Sequence, residues 1–364
     1  MTIKPKETEV EVTLIGTGGG YGESIVLKVS KESWIIVDSC INPNTKQPLA
    51  IEYLNSIGVS LDNVILIICT HWHNDHIKGL SKALDLCKKA EFCFSFVHDL
   101  QKFLLLCELD YTKSKKGSIS STNEFSDWLE IINKRESFYT RAQKDLLLLK
   151  EKNLNVSFEI YSLSPSPKTI SNFDSEISTL ITEFGSRNTA VINKTPNDKS
   201  VALLLKFGNH RVLLGADLEI GKDESEGWRH IIKHSKIIDE KKANLYKIPH
   251  HGSENGYLKE IFDVLVNDDG ILKLTPYNSS GLPTDNMLDV YTAHSKNLYL
   301  TSAKLPSKKP KKRDNSIEKV ISRSVVSLVE IKFTHGIIVS RLDYTNEDGL
   351  WETKTHQSAT KLPC

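Results

Sequence analysis

One stretch constrains this chain more than any other. The apolar run Val64-Ile65-Leu66-Ile67-Ile68-Cys69 is followed directly by Thr70-His71-Trp72-His73-Asn74-Asp75-His76. A short, continuous, β-branched run reads as a buried strand. Ile77-Lys78-Gly79-Leu80-Ser81-Lys82-Ala83-Leu84 then reads as the start of a helix. The polar cluster therefore rides on a strand-to-helix loop at the carboxyl edge of a sheet, where open α/β folds place their sites. Imidazole nitrogens and a carboxylate form a ligand set for zinc, manganese or iron.

Three other strand ends carry groups of the same kind. Asp38 follows Trp34-Ile35-Ile36-Val37, Asp217 stands just past Arg211–Gly215, and His250-His251 follow Leu245-Tyr246-Lys247-Ile248. Each has an ordinary use alone: an Asp closes turns or caps a helix. Placed together at one edge of a two-sheet core, they outline a site. Alternate residues His71 and His73, on a tight loop leaving a strand, can close on one metal. Asp75 and His76, in the first helical turn, face a second position, and a carboxylate such as Asp217 can bridge two cations. Two metals about 3.5–4 Å apart share a water and lower its pKa toward neutrality, making a hydroxide nucleophile.

The rest of the chain supplies the frame. Val10–Leu14 and Ile25–Val29 read as strands around a glycine-rich turn, Gly16-Thr17-Gly18-Gly19-Gly20-Tyr21-Gly22. A nucleotide-binding turn would have to open a helix. This one opens a β-branched strand, so a tight strand-to-strand bend is expected. Residues 47–59 read as a helix. From His98 to about Lys152 the texture changes: Leu104-Leu105-Leu106, Asp127–Ile132 and Arg141–Lys150 read as helical, which predicts a helical cap over 100–155. Val201–Phe207 and Arg211–Gly215 form a hairpin on Gly208-Asn209-His210. Helices are expected around Ile170–Leu180, Trp228–Ser235 and Thr284–Ser295. Val325–Phe333 and Gly336–Leu342 read as a closing hairpin, and 346–364 as a frayed tail. One domain over 1–345, including the 100–155 cap, plus that tail is the expected organisation.

Composition narrows the class. The chain has 364 residues, 39% hydrophobic and 26% charged, which is ordinary for a soluble globular protein. A net charge of +1 leaves any electrostatic specificity local. The start of the chain has no apolar core of a secretory signal, and no run of about 18 apolar residues predicts a membrane span. The six cysteines are scattered without a CxxC pair. That favours a reducing cytoplasm over a disulfide framework and argues against thiolate metal ligands.

His71-Trp72-His73-Asn74-Asp75-His76 followed by Ile77-Lys78-Gly79-Leu80 resembles the signature loop of the metallo-β-lactamase superfamily. Within it, three further stretches are similar to the competence (DNA-uptake) type hydrolase domain and its free-standing relatives. They are Gly20-Tyr21-Gly22-Glu23-Ser24, Asn197–Leu203 running on to Leu213–Asp217, and Lys247-Ile248-Pro249-His250-His251-Gly252-Ser253. The likeness covers about 10–100 and 156–305. It implies an α/β fold, an αββα four-layer sandwich with a helical insertion, and two divalent metal ions, Zn²⁺ or alternatively Mn²⁺. It implies His71 and His73 on the first metal, Asp75 and His76 on the second, and Asp217 as the bridge. One of His250 and His251 would complete the second position, with His251 favoured, while the other would hydrogen-bond a substrate oxygen. Asp75 and His250 are thus the catalytic candidates beside the metals, and Asp38 would orient the histidine loop. Many superfamily members carry a further histidine for the first metal, where this chain offers Asn193, Asn197 and Ser200. His98 reads as a surface residue.

A dinuclear centre suits attack at phosphorus, and the competence-type likeness implies a phosphodiesterase or nuclease using a metal-activated hydroxide. A non-phosphate ester, lactone or amide hydrolase is the alternative. A metal-binding subunit of a larger DNA-handling or defence complex, docking a protein partner through the cap, is a third reading. Lys247, Ser253, Asn255 and Asn197 are the candidate substrate-binding residues by position. The Lys308–Arg313 run suits a nucleic-acid or other polyanionic substrate, or is a solvated loop.

Overall fold

The computed structural model describes residues 3–18, 22–97, 102–103, 105, 121–135, 139–182, 197–303, 334–346 and 349–362. The apolar run before the histidine loop is a strand, β4 (Val64–Cys69), buried almost throughout. Its neighbours explain the unbroken hydrophobicity. β3 (Trp34–Val37) and β5 (Glu91–Ser95) pair with it in parallel on either side, and interior parallel strands are covered on both faces.

Two sheets of eight described strands make the core. In the first, β1 (Glu9–Gly16), β2 (Glu23–Lys28) and β3 form an antiparallel meander that continues in parallel through β4 and β5 to β6 (Tyr139–Ala142). The outer edge is β14 (Gly336–Asp343) and β15 (Glu352–Gln357). In the second, β7 (Leu146–Asn153), β8 (Val156–Ser162), β9 (Leu203–Phe207) and β10 (His210–Leu214) run antiparallel. β11 (Ala243–Lys247), β12 (Val266–Leu274) and β13 (Leu298–Leu300) then follow β10 in parallel, and β16 (Thr360–Lys361) closes the edge. The β9–β10 hairpin turns on Gly208 and Asn209, with Gly208 at φ 48°.

Alternation along the strands sorts side chains into layers. Val12, Leu14, Leu27, Ile35 and Ile68 of the first sheet meet Ile160, Leu205, Phe207 and Leu245 of the second. The outer face of the first sheet is covered by α1 (Leu49–Ser56), α3 (Leu80–Leu86), α4 (Ser121–Arg135) and α5 (Pro167–Thr182). α2 (Asn74–Ile77) is the single turn after the histidine loop. The outer face of the second sheet is covered by α6 (Gly227–His234), α7 (Lys259–Val264) and α8 (Asp285–His294). The result is the four-layer αββα sandwich. Parallel strands of both sheets end at one edge, so β3, β4, β10 and β11 deliver Asp38, the histidine loop, Asp217 and His250-His251 to the same place. No helix among the described residues is long and apolar enough to cross a membrane.

Two stretches differ from the sequence reading. Arg141–Lys150 is not helical: Asp145, at φ 57°, separates β6 from β7. A run of leucines fits either period, and pairing with the alternating strand β8 decides it. The stretch 346–364 is not wholly a frayed tail, because β15 and β16 pair with β14 and β13. Glu352-Thr353-Lys354-Thr355 is polar because it forms an edge strand, where charges discourage further pairing. His98, Asn193, Gly20-Tyr21, the Lys308–Arg313 run and Val325–Phe333 lie outside the described residues.

One polar group joins the two sheets through their dry interior. Lys273, fully buried on β12, donates from Nζ to Val12 O at 2.6 Å and to Ile338 O at 3.1 Å. Burial drives its pKa well below the usual lysine range, with Glu11 opposing. The unfolded chain therefore holds this proton more tightly than the folded one. Stability rises with pH from the folded pKa up to the unfolded value of about 10.4. Urea unfolding from about pH 7 to pH 10 is expected to show the wild type gaining on Lys273→Met, by up to ~1.4 kcal/mol per pH unit. A difference that stays flat with pH would overturn this.

Candidate metal centre

The site begins with how the histidine loop is held. Asp38 ends β3 in the left-handed region, at φ 58°. Its Oδ1 accepts from Thr70 N at 2.7 Å, and its Oδ2 accepts from Thr70 Oγ1 at 2.7 Å and His76 Nδ1 at 2.8 Å. Thr70 Oγ1 also lies 3.0 Å from His71 Nδ1. Since the hydroxyl donates to Asp38, it accepts from that imidazole. One carboxylate thus places the proton on Nδ1 of His76 directly, and of His71 through Thr70. Thr275 O, 2.9 Å from His251 Nδ1, does the same for the third ring. In all three, Nε2 is the nitrogen that offers a lone pair whenever the ring is neutral.

Those lone pairs converge. His76 Nε2 lies 3.3 Å from Asp217 Oδ1 and 3.8 Å from Asp75 Oδ2. His251 Nε2 lies 3.0 Å from Asp75 Oδ2 and 3.5 Å from Asp217 Oδ2, and His71 Nε2 lies 3.8 Å from Asp217 Oδ2. The His73 ring stands edge-on to His71, 5.1 Å between centroids. Asp75, His76, Asp217 and His251 form one donor set within 4.8 Å, and His71, His73 and Asp217 another, so Asp217 belongs to both. Asp38, His71 and His76 form a third set, but the Asp38 oxygens are already occupied by three hydrogen bonds.

The chemistry of these donors fits a divalent cation. His71 Nε2, His76 Nε2 and Asp217 Oδ1 are buried without a hydrogen-bond partner, which is costly unless something positive sits among them. Burial holds the His71 imidazole well below its usual pKa, in the neutral form that ligates. For His76 and His251, burial works the same way, but Asp217 and Asp75 outweigh it and raise both. Without an ion, protons on these rings supply the positive charge. Burial also opposes the charge on Asp217, yet His76, His251 and Lys247 hold it well below the usual carboxylate range.

Other expected residues fall elsewhere. Lys247 was a substrate-binding candidate, but it is fully buried. Its Nζ pairs with Glu23 and donates to Ala216 O at 2.9 Å, 3.8 Å from Asp217 Oδ1. It supports Asp217 from beneath, because its strand points inward at that position. His250 stays outside both donor sets. Its Nε2 takes a bond from Asn197 Nδ2 at 2.9 Å, and its Nδ1 is 3.6 Å from Glu219 Oε1. Asn255 Nδ2 donates to Glu219 at 2.8 Å, and Ser253 donates to Asn255. Asn197, Ser253 and Asn255 therefore gather round His250 and Glu219. His250, His251 and Ala216 all have positive φ, at 46°, 51° and 46°, a strain of about 1–3 kcal/mol each that functional sites often hold.

Several contributors were not singled out from the sequence. Glu23, buried beneath the cluster, lay within the turn that carries the family likeness. Gly22 precedes it because a Cβ there would come within 2.9 Å of Asp75 O. Trp72 is buried, its ring 5.3 Å from Phe103 and 5.2 Å from Phe173. The Glu124 carboxylate of α4 accepts from Gly79 N at 2.6 Å and Ser81 N at 2.9 Å, capping α3. Arg135 of α4 donates to Leu84 O and Cys87 O at the other end of α3. Both ends obey the helix dipole. A glutamate 45 residues downstream leaves no local signal.

Two measurements test this scaffold. Asp38→Ala is expected to weaken metal binding about 10–100-fold in competition with a chromophoric chelator; unchanged affinity would refute the orienting role. Glu124→Ala leaves the buried Ser81 amide and the half-buried Gly79 amide unpaired and is expected to cost about 1–3 kcal/mol in urea unfolding, whereas a cost within the error of wild type would discount the cap.

Among solved structures, human tRNase Z, short form, aligns at 11% identity over 80% of this chain and 91% of its own, with a TM-score of 0.36. A hydrolase in the β-lactamase superfamily, AbOPH, aligns at 12% identity over 59% of this chain and 72% of its own, with a TM-score of 0.36. The Rm3 metallo-β-lactamase aligns at 12% identity over 56% and 60%, with a TM-score of 0.28. No curated protein matches. The family model for the metallo-β-lactamase superfamily matches residues 17–272. That span begins at the end of β1 and takes in every donor gathered around Asp217, and the chain belongs to the metallo-β-lactamase superfamily.

Proposed function

We propose that this superfamily hydrolase is a metal-dependent phosphodiesterase or nuclease of the competence type. The observation that carries the reading is the sharing of Asp217 by two donor sets, each with an unpartnered imidazole Nε2 aimed inward. His71, His73 and Asp217 would hold one divalent ion, Zn²⁺ or Mn²⁺, and Asp75, His76, Asp217 and His251 a second. Bound there, such ions supply Lewis acidity and activate water at neutral pH.

The protein's own residues do the rest. Asp38, Thr70 and Thr275 O keep three imidazoles in the tautomer that presents Nε2. Lys247 and Glu23 fix Asp217 from below. His250 is held with Nε2 on Asn197 and Nδ1 buried 3.6 Å from Glu219 Oε1. His73 and Asp75 are the half-buried members of the cluster, so substrate approaches over them. Asn197, Ser253 and Asn255 border that approach.

Purified protein supplied with Zn²⁺ or Mn²⁺ is expected to hydrolyse bis-p-nitrophenyl phosphate in preference to carboxylic esters and lactones. Chelation should abolish turnover and metal should restore it. His73→Ala/Asp75→Ala is expected to reduce turnover at least roughly a hundredfold. Intact activity in that variant, or a preference for esters or lactones, would overturn the reading.

A further inference from the structure

A cleft of about 220 Å³ opens beside the histidine loop. One wall is apolar, made by Cys40, Ile41 and Pro43; Lys46, Lys78 and Asn74 line the remainder. Asn74 stands between His73 and Asp75 in the chain, so cleft and cluster share a wall. Cys40 forms the buried side, where burial and the carboxylates of Glu23, Asp38 and Asp75 keep its thiol protonated. Among the described residues, no carboxylate lines the cleft.

The two lysines are placed by structure. Lys78 follows α2 and is half-buried. Lys46 sits at φ 57° in a closed turn, its N–H donating to Asn42 O at 2.9 Å while Asn42 N donates to Gln47 O at 2.8 Å. Neither ammonium has an ion pair or side-chain hydrogen bond among the described residues. Lys88 and Lys89, also on the first sheet's helical side, pair with Asp85 and Asp62. Two lysines lining one small cleft, with no acidic partner among the described residues, favour an anion there.

We propose that this cleft is an anion subsite that takes a second phosphate of the substrate, next to the one cleaved, so that Lys46 and Lys78 select polyanionic phosphodiesters over lone ones. The inference rests on the phosphodiesterase reading above and narrows it to substrates with successive phosphates, such as a short nucleic-acid strand. The apolar wall takes the organic group between the phosphates.

The test compares the metal-loaded full chain with Lys46→Ala/Lys78→Ala on two substrates. One is bis-p-nitrophenyl phosphate; the other is a thymidine dinucleotide carrying a 5′-phosphate. The ratio of kcat/KM, dinucleotide over lone diester, is expected to fall about tenfold or more in the variant, through KM. The dependence of log KM on log salt for the dinucleotide should flatten by about one unit. Lys46→Arg/Lys78→Arg should retain both. An unchanged ratio, or equal losses on both substrates, overturns the subsite. If the wild type cleaves neither substrate, the phosphodiesterase reading fails on its own. Binding of a fluorescent 5′-phosphorylated dinucleotide to the metal-free protein then decides the cleft. About tenfold weaker binding by the alanine pair supports it, and equal or absent binding overturns it.

Discussion

Three hydrogen bonds to one buried carboxylate hold this site together. Asp38 receives the backbone and hydroxyl of Thr70 and the Nδ1–H of His76, so both ends of the histidine loop are tied to the same residue. Its own backbone is fixed as firmly. Asp38 N donates to Ile68 O at 2.8 Å, Asp38 O accepts from Ser24 Oγ at 2.8 Å, and Ser39 N donates to His76 O at 2.7 Å. β2, β4 and α2 thus meet at Asp38. Burial raises its carboxyl pKa, with His76 and Thr70 opposing. Its bonds are charge-assisted and sheltered from water, which makes them strong and their geometry narrow.

That anchor operates within a wider balance of buried charge. Glu23, Asp38 and Asp217 are each almost wholly buried, with Asp75 at their margin. An unpaired ion in such a place costs several kcal/mol. Lys247 offsets part of this from below, between Glu23 and Asp217. Protons on His76 and His251 offset more when no ion is present. A divalent cation among the Nε2 atoms would replace those protons and satisfy Asp217 Oδ1 as well. Hydrogen bonds through Asp38 and Thr275 O, together with Lys247, therefore hold the donors toward one another.

How much of this was legible follows from where each signal lies. The strand Val64–Cys69 and the loop after it were readable because a parallel interior strand is apolar throughout and its polar successor is abrupt. Asp38, Asp217 and His250-His251 were readable as strand-end groups, since parallel strands of two sheets empty onto one edge. Lys247 misled because residue type suggests a substrate cation, while strand alternation turns it beneath Asp217. Leu146–Leu149 misled because four leucines fit either period, and a partner strand chooses. Glu124 and Trp72 act on the loop through α4 and an aromatic cluster distant in sequence, so no spacing announces them.

The two halves of the cluster are unequal, and the cause is local. Asn197 is one of the three residues, with Asn193 and Ser200, that this chain offers in the stretch where the family resemblance would lead one to expect another histidine. Its amide donates to His250 and Glu219, which directs it away from the cluster. Among the described residues, His71, His73 and Asp217 make three donors on one side, against four on the other. Each half has one half-buried member, His73 on the first and Asp75 on the second, while His71, His76, Asp217 and His251 are enclosed. An ion held by fewer protein donors keeps positions for oxygen from solvent or substrate. The Asn197–His250 bond therefore turns the Asn197 amide toward His250 and Glu219, and leaves the His71/His73 half with the shorter donor set.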